Sequence, residues 1–329
     1  MNGAEANPAI TTLQSHILER ELDKPELGDS LSWIVSALSI STKIIAAQVR
    51  RARLVDVLGD AGAENVQGET QQKLDVIANE TLLRTLGRRE GVAIVASEEN
   101  EQPVIIREAA TGPPRYCVLF DPLDGSSNLD VCGAVGTIFS ILTHPGGAAE
   151  AAVLQPGTQQ VAAGYVLYGS STVLVLTFGQ GVHMFVLDPA IGAYIRVAEN
   201  LRIPAARKHY SVNEGNRPSF PDGYQRYLEW AQHNGYSARY AGAMVADVHR
   251  ILLQGGVFLY PPTGKAPRGK LRLLYEANPM SMLIEQAGGK AMAGPATRIL
   301  DIRPEAIHER TPVILGSTEE VDRVLEFLD

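Results

Sequence analysis

The apolar run Tyr116-Cys117-Val118-Leu119-Phe120 passes without any break into Asp121-Pro122-Leu123-Asp124-Gly125-Ser126-Ser127-Asn128. A short apolar run bounded by turn residues reads as a buried strand. The fold must therefore hold a strand that ends in one carboxylate and turns tightly enough to bring a second, Asp124, to the same point. Hard cations such as magnesium take oxygen ligands of this kind. Pro122 stiffens the turn and Gly125 lets backbone approach a ligand closely. The amides of Gly125, Ser126 and Ser127 would face a phosphate if a short helix begins there. The plain alternative is a capped surface turn, because Asp-Gly-Ser clusters are common loop material.

Further carboxylates stand where strands or helices present them. Ser97-Glu98-Glu99-Asn100 follows the apolar run 92–96. Adjacent side chains after a strand point to opposite sides, so one glutamate would bind metal while the other polarises water. A solvated strand end is the alternative. Glu276 ends an expected strand over 271–275, just before a helix with Asn278 as cap and Pro279 in its first turn. There it is either a ligand or a partner of the helix dipole. Asp75 borders the inner face of a helix over 71–86, and Glu69 lies in the loop before it; each also fits a surface role. No Walker loop is present and the seven histidines lack metal-site spacing. His249 reads as structural.

The chain has 329 residues, enough for two packed subdomains. Its formal net charge of −8 excludes a nucleic-acid binder with a basic face. Two cysteines form no disulfide framework, and Cys117 reads as a buried thiol. The first twelve residues lack the pattern of a signal peptide, and no uninterrupted apolar run approaches the ~20 residues of a membrane span. The cytoplasm is the default compartment. Helices are expected over 30–53 and 71–86, strands over 92–96, 104–106, 116–120 and 136–142, and an antiparallel meander over 150–187. From about residue 200 helices and strands alternate, which gives a mixed α/β chain divided into 1–200 and 201–329.

With these residues assembled, the chain closely resembles the class I fructose-1,6-bisphosphatases, within the wider group of magnesium-dependent, lithium-sensitive phosphatases. The resemblance is densest at Lys73-Leu74-Asp75 with Ser97-Glu98-Glu99, at Asp121 to Asn128, and over 237–289. Ser211-Val212-Asn213-Glu214-Gly215, Ala238-Arg239-Tyr240 and the block from Lys270 to Glu276 are specific to fructose bisphosphatases. It implies the layered α/β sugar-phosphatase fold, with alternating helix and sheet layers. It implies hydrolysis of the 1-phosphate of fructose 1,6-bisphosphate by metal-activated water, in gluconeogenesis or the Calvin cycle. Glu98, Asp121, Asp124, Glu276, the Leu123 carbonyl and Glu69 match its metal ligands for two or three magnesium ions, with manganese as the alternative. Asp75 and Glu99 match the pair that orients and deprotonates water. Gly125 and Ser126 match the 1-phosphate amides, Lys270 reaches sugar and phosphate, and Asn213, Tyr240 and Tyr260 match the 6-phosphate clamp. Arg239 matches an arginine supplied by a neighbouring subunit, which implies a homotetramer.

The chain also departs from that pattern. Asn216 stands where the family often has a tyrosine, which puts one 6-phosphate hydrogen bond in question. Leu27-Gly28-Asp29-Ser30 and Thr143 differ from the family's AMP site, so weak or absent AMP inhibition is expected. Two rival readings stand beside the main one. The first is a sedoheptulose-1,7-bisphosphatase or dual-substrate enzyme; the second is a non-catalytic sugar-phosphate-binding regulator.

Overall fold

The computed structural model describes residues 10–23, 28–55, 58–64, 70–107 and 115–328. The chain opens with α1 (Leu13–Asp23), α2 (Gly28–Arg51), the antiparallel pair β1 (Asp60–Glu64) and β2 (Thr70–Gln72), and α3 (Lys73–Leu86). Next come β3 (Val92–Ser97), β4 (Val104–Ile105), β5 (Tyr116–Asp124), β6 (Val135–Thr143) and α4 (Ala149–Val153). A meander follows: β7 (Gln160–Tyr168), β8 (Thr172–Thr177), β9 (Val182–Asp188) and β10 (Ala193–Ala198). Then come β11 (His209–Ser211), α5 (Asp222–His233), β12 (Ser237–Ala238), α6 (Met244–Gln254), β13 (Val257–Tyr260) and β14 (Leu271–Arg272). The chain closes with α7 (Asn278–Gln286), β15 (Lys290–Gly294), β16 (Thr297–Arg298), β17 (Arg310–Thr311), β18 (Val313–Gly316) and α8 (Thr318–Leu325).

The strands form two large sheets. One has eight strands in the order β10-β9-β8-β7-β6-β5-β3-β4, all antiparallel except the parallel pair β3–β5. The other has six, in the order β12-β11-β13-β18-β15-β16, with β11 parallel to both its neighbours. Strand alternation builds the layers around them. Tyr116, Val118 and Phe120 of β5 join one core with Ile34 and Leu38 of α2 and Leu74 and Leu82 of α3. Ile138 of β6 and Tyr165 of β7 face the other way, onto Val248 of α6, Leu283 of α7 and Phe258 of β13. Beyond the six-stranded sheet, Tyr227 of α5 and Val324 of α8 close a third core with Leu259. The result is helix, sheet, helix, sheet, helix: the alternating layers expected from the sequence.

Helix α2 shows which force decides. It is rich in serine, threonine and isoleucine, each of which costs up to about 0.7 kcal/mol in helix propensity. Leu31, Ile34, Val35, Leu38 and Ile45 are nevertheless buried, each contributing about 1.5–3 kcal/mol, so packing outweighs propensity. By length and composition α2 also passes for a membrane span, unlike the expectation above; more than half of that window is buried inside the fold. Its buried face belongs to the core beneath the eight-stranded sheet.

One expected element is different. The run 271–275 is a strand only at Leu271–Arg272; Leu273–Ala277 is a π-helical turn that runs straight into α7. Every residue of that turn is buried, so its apolar pattern carries no period to separate strand from helix. Asn278 is therefore inside the helical run and does not cap it, although Pro279 does stand in the first turn.

Candidate active site

Strand β5 runs on to Asp124, past the apolar run, and Gly125 then takes φ +75 before the 3-10 turn Ser126–Val131. A Cβ on Gly125 would lie 2.3 Å from that of Ala243, so only glycine lets this turn sit under the start of α6. Gly136 does the same for the neighbouring strand, where a Cβ would meet Val245 at 2.7 Å. The two glycines seat the N-terminus of α6 against β5 and β6. There the Val245 amide donates to Asp124 Oδ2 at 2.7 Å. Within the turn, Asp121 Oδ1 accepts the Leu123 amide at 2.9 Å.

The π-helical turn brings the third carboxylate. Glu276 Oε2 accepts the Arg272 amide at 2.6 Å, and oxygens of Asp121, Asp124 and Glu276 lie within 4.8 Å of one another. π-helical turns recur at functional sites, and this one aims Glu276 into the cavity from within a helical run, not from a strand's end as expected. Glu98 joins the group and ion-pairs with Arg272 at 3.1 Å, both side chains largely buried. Glu98 and Glu99 both line the cavity. They stand just past the end of β3 at Ser97.

The electrostatics of this carboxylate group favour a cation. Burial, then Glu98, Asp124 and Glu276, pushes the Asp121 carboxyl well above its usual range. Burial, then Glu98 and Asp124, does the same to Glu276, against the pull of Arg272. Asp124 rises to about 7 through burial and Glu98, although the Val245 amide lowers it. Buried like charges this close are costly as ions. A hard divalent cation removes the cost, and the all-oxygen donor set suits one. The residues present therefore fit a metal.

The cavity is about 330 Å³. Glu98, Glu99, Asp121, Asp124 and Glu276 line it, with Leu123, Gly125, Ser126 and Ser127. Tyr240, Tyr260 and Lys270 also line it. Asn213 and Arg239 are not among the described lining residues. Asn213 accepts the Gly215 amide at 3.1 Å and meets Tyr240, whose phenol is pushed up chiefly by burial and by Asp247. Arg239 is exposed and donates to the Ala238 carbonyl at 2.8 Å. Asp75 is buried and accepts the Gln72 amide at 2.9 Å as part of a capping box on α3; it too is absent from the described lining. Glu69 lies outside the described residues. His249 is structural, its Nδ1 2.7 Å from the Tyr165 hydroxyl. Cys117 is buried, its thiol pushed up to about 12 by burial.

Sequence reasoning assigned no role to Arg272 or Asp247, which both line the cavity. Arg272 stands two residues from Lys270, the period that places strand residues on one face, and this was the available signal. For Asp247 the signal was an acidic residue in the first turn of a predicted helix, a pattern too common to single out.

A layered α/β protein with a cation-ready carboxylate cluster and a lysine on one polar cavity is, as a class, a phosphoric monoester hydrolase. Comparison with known proteins narrows this. The family model of the fructose-1-6-bisphosphatase N-terminal domain matches residues 11–199, and that of the C-terminal domain matches residues 203–329. Fructose-1,6-bisphosphatase class 1 proteins of Chlorobium chlorochromatii (strain CaD3) and Chlorobium luteolum (strain DSM 273 / BCRC 81028 / 2530) are each 48% identical over 328 residues. Each alignment covers 97% of this chain and 98% of the relative. Leishmania major fructose-1,6-bisphosphatase in its holo form superposes with a TM-score of 0.90 at 41% identity, covering 97% of this chain and 99% of that one. The apo form gives 0.85 at 40% identity, over 97% of this chain and 99% of that one. The chain belongs to the fructose-1,6-bisphosphatase family.

Proposed function

We propose that this protein hydrolyses the 1-phosphate of fructose 1,6-bisphosphate, releasing fructose 6-phosphate and phosphate. The observation that carries this reading is one polar cavity lined by carboxylates, by the turn residues Gly125 and Ser126, and by Tyr240, Tyr260 and Lys270. Glu98, Asp121, Asp124, Glu276 and the Leu123 carbonyl would hold two or three divalent cations, magnesium first and manganese as the alternative. Glu69 joins them by resemblance. Bound there, such ions neutralise the phosphate, acidify water and stabilise the leaving alkoxide.

The chain's own groups do the rest. Gly125 and Ser126 amides hold oxygens of the 1-phosphate, and Glu99 takes the proton of the attacking water, with Asp75 orienting it. Lys270 bridges the sugar and the reacting end; Asn213, Tyr240 and Tyr260 hold the 6-phosphate. We assign the carboxylate site chiefly to residues 1–200 and the sugar-bisphosphate site to 201–329, with Glu276 crossing between them. Exposed Arg239 suits a role in a neighbouring subunit's site. Trp33, Ile40 and Ile44, which leave an apolar stripe exposed on α2, support a homotetramer. The cytoplasm is the proposed compartment.

A seven-carbon substrate, sedoheptulose 1,7-bisphosphate, is a second reading favoured by one feature. A second cavity of about 500 Å³ shares Tyr260 and Lys270 with the first and is lined by Asn216 and Lys265, leaving room for a longer sugar. Phosphate release from both sugars, with and without magnesium, tests both readings. Metal-dependent turnover of the fructose substrate is expected. Silence on both, with folded protein and bound metal, would replace the enzyme by a sugar-phosphate-binding regulator.

A further inference from the structure

Residues 239–243 form an irregular strap, of which Tyr240, Gly242 and Ala243 line the cavity. At its start the Arg239 amide donates to the Tyr210 carbonyl at 2.9 Å; at its end the chain enters α6 at Met244. The strap carries Tyr240 at the cavity wall and presses Ala243 against Gly125. It therefore touches both of the places assigned above to phosphates. Irregular backbone this close to a site needs partners for its amides, and two of them end on one side chain. The Ala241 amide donates to Asp247 Oδ1 at 2.8 Å and the Gly242 amide to Asp247 Oδ2 at 3.1 Å. From the other side, Asn128 Nδ2 donates to the Ala241 carbonyl at 3.3 Å. Asp247 is 1% exposed and belongs to the same helix end whose Val245 amide holds Asp124.

We propose that Asp247 is a positioning residue: its carboxylate fixes the strap, and so sets the distance between the distal-phosphate tyrosine and the Gly125 turn that cradles the reacting phosphate. The proposal rests on the sugar-bisphosphate reading. A carboxylate suits the task because each oxygen accepts one amide. Asparagine, with the same volume, offers one acceptor and turns an N–H₂ toward the other amide, so one charge-assisted bond becomes a donor facing a donor. A purely structural acid at a helix N-terminus would act through the helix dipole instead. Its loss would lower stability without choosing between the two ends of the substrate.

The experiment compares full-length wild type with Asp247→Asn, both with magnesium. It measures fructose 6-phosphate affinity by calorimetry, KM and kcat for fructose 1,6-bisphosphate, half-saturation by magnesium, and melting temperature. Fructose 6-phosphate carries only the distal phosphate, so its dissociation constant is expected to rise roughly tenfold, the scale of one lost charge-assisted hydrogen bond. KM should rise with it, while magnesium half-saturation holds; the unsatisfied buried amide lowers the melting temperature by a few degrees as well. Unchanged affinity for fructose 6-phosphate overturns the proposal. So does a loss in which the magnesium response falls as far as the sugar-phosphate affinity, the mark of a structural acid. If Asp247→Asn does not fold, Gly242→Ala serves, since it strains the strap at φ +82 and leaves α6 intact. The same selective loss is expected there, and unchanged affinity overturns the proposal. A wild type that neither binds fructose 6-phosphate nor turns over the bisphosphate overturns the sugar-bisphosphate reading itself, a result distinct from a silent variant beside an active wild type.

Discussion

Asp121 sits where stability and function pull in opposite directions. The residue is 4% exposed and its carboxylate feels four others, Glu98, Asp124, Glu276 and Glu99, so without a cation it repels its surroundings. Asp121→Asn keeps the shape and removes that charge. Measured without divalent ions, the variant should be more stable than wild type by about 1–3 kcal/mol, the scale of relieving a buried like-charge contact. With magnesium, its turnover should fall roughly a thousandfold or more, because the cluster loses a ligand on which the chemistry depends. A denaturation curve in chelator and an activity assay in magnesium read the two effects separately, and a variant that is less stable in chelator would contradict the charge argument. Arg239 makes the opposite kind of prediction. Among the described residues it does not line the cavity that holds the carboxylates, so Arg239→Ala should raise KM by roughly tenfold and leave kcat within about twofold. A kcat loss as large as that of Asp121→Asn would place Arg239 at the reacting phosphate.

At the scale of elements, α1 is fastened to the meander by a pair of buried imidazoles. His16 and His183 pack against each other with ring centroids 4.3 Å apart and planes tilted by 50°. Arg196 Nη1 lies 3.3 Å from His16 Nδ1, and Arg20 Nη2 lies 3.3 Å from His183 Nε2. Burial, then His183 and the two arginines, lowers the His16 pKa to about 3; burial and Arg20 lower that of His183 to about 4. Both rings are neutral in the fold, while the unfolded chain protonates them below about 6.5. Their stabilisation is therefore complete above about pH 6.5 and drains away on acidification, by up to about 1.4 kcal/mol per pH unit for each ring. The raised carboxyls of the cavity act with the opposite sign, so wild type alone mixes two slopes. The stability difference between wild type and His183→Phe isolates the imidazole, and it should shrink steadily from pH 7 to pH 5 in urea titrations. A constant difference would mean that the ring takes up its proton in the fold as readily as in the unfolded chain. Elements such as α2, α3 and β5 were legible in the sequence because their apolar residues keep a helical or strand period. The turn Leu273–Ala277 was not, since all its residues are buried and no period survives. The same contrast holds in the site. The pair Asp121 and Asp124 announced itself by spacing, whereas the strap's dependence on Asp247 joins residues through a fold that spacing does not encode.

On the scale of the molecule, the carboxylate cluster is a joint between layers. Asp121 and Asp124 come from the eight-stranded sheet, Glu98 from the turn after β3, and Glu276 from the helical layer between the sheets. A cation there would bridge elements that also meet through apolar packing, a few amides and the Glu98–Arg272 ion pair. Since the unfolded chain cannot assemble the cluster, binding acts on the folded state alone and stabilises it by RT ln(1 + [L]/Kd), about 2.7 kcal/mol at a hundredfold excess over Kd. Magnesium should therefore raise the melting temperature by a few degrees, chelator should reverse the rise, and far-ultraviolet circular dichroism should stay unchanged, because the sheets and helices are held by their own apolar cores. The shift should be absent in Asp121→Asn, even though that variant starts from a higher melting temperature in chelator. This combination separates cation binding at the cluster from general salt effects, which would move both proteins alike. An equal magnesium shift in both proteins would place the stabilising ion elsewhere and leave the cluster without its assigned role.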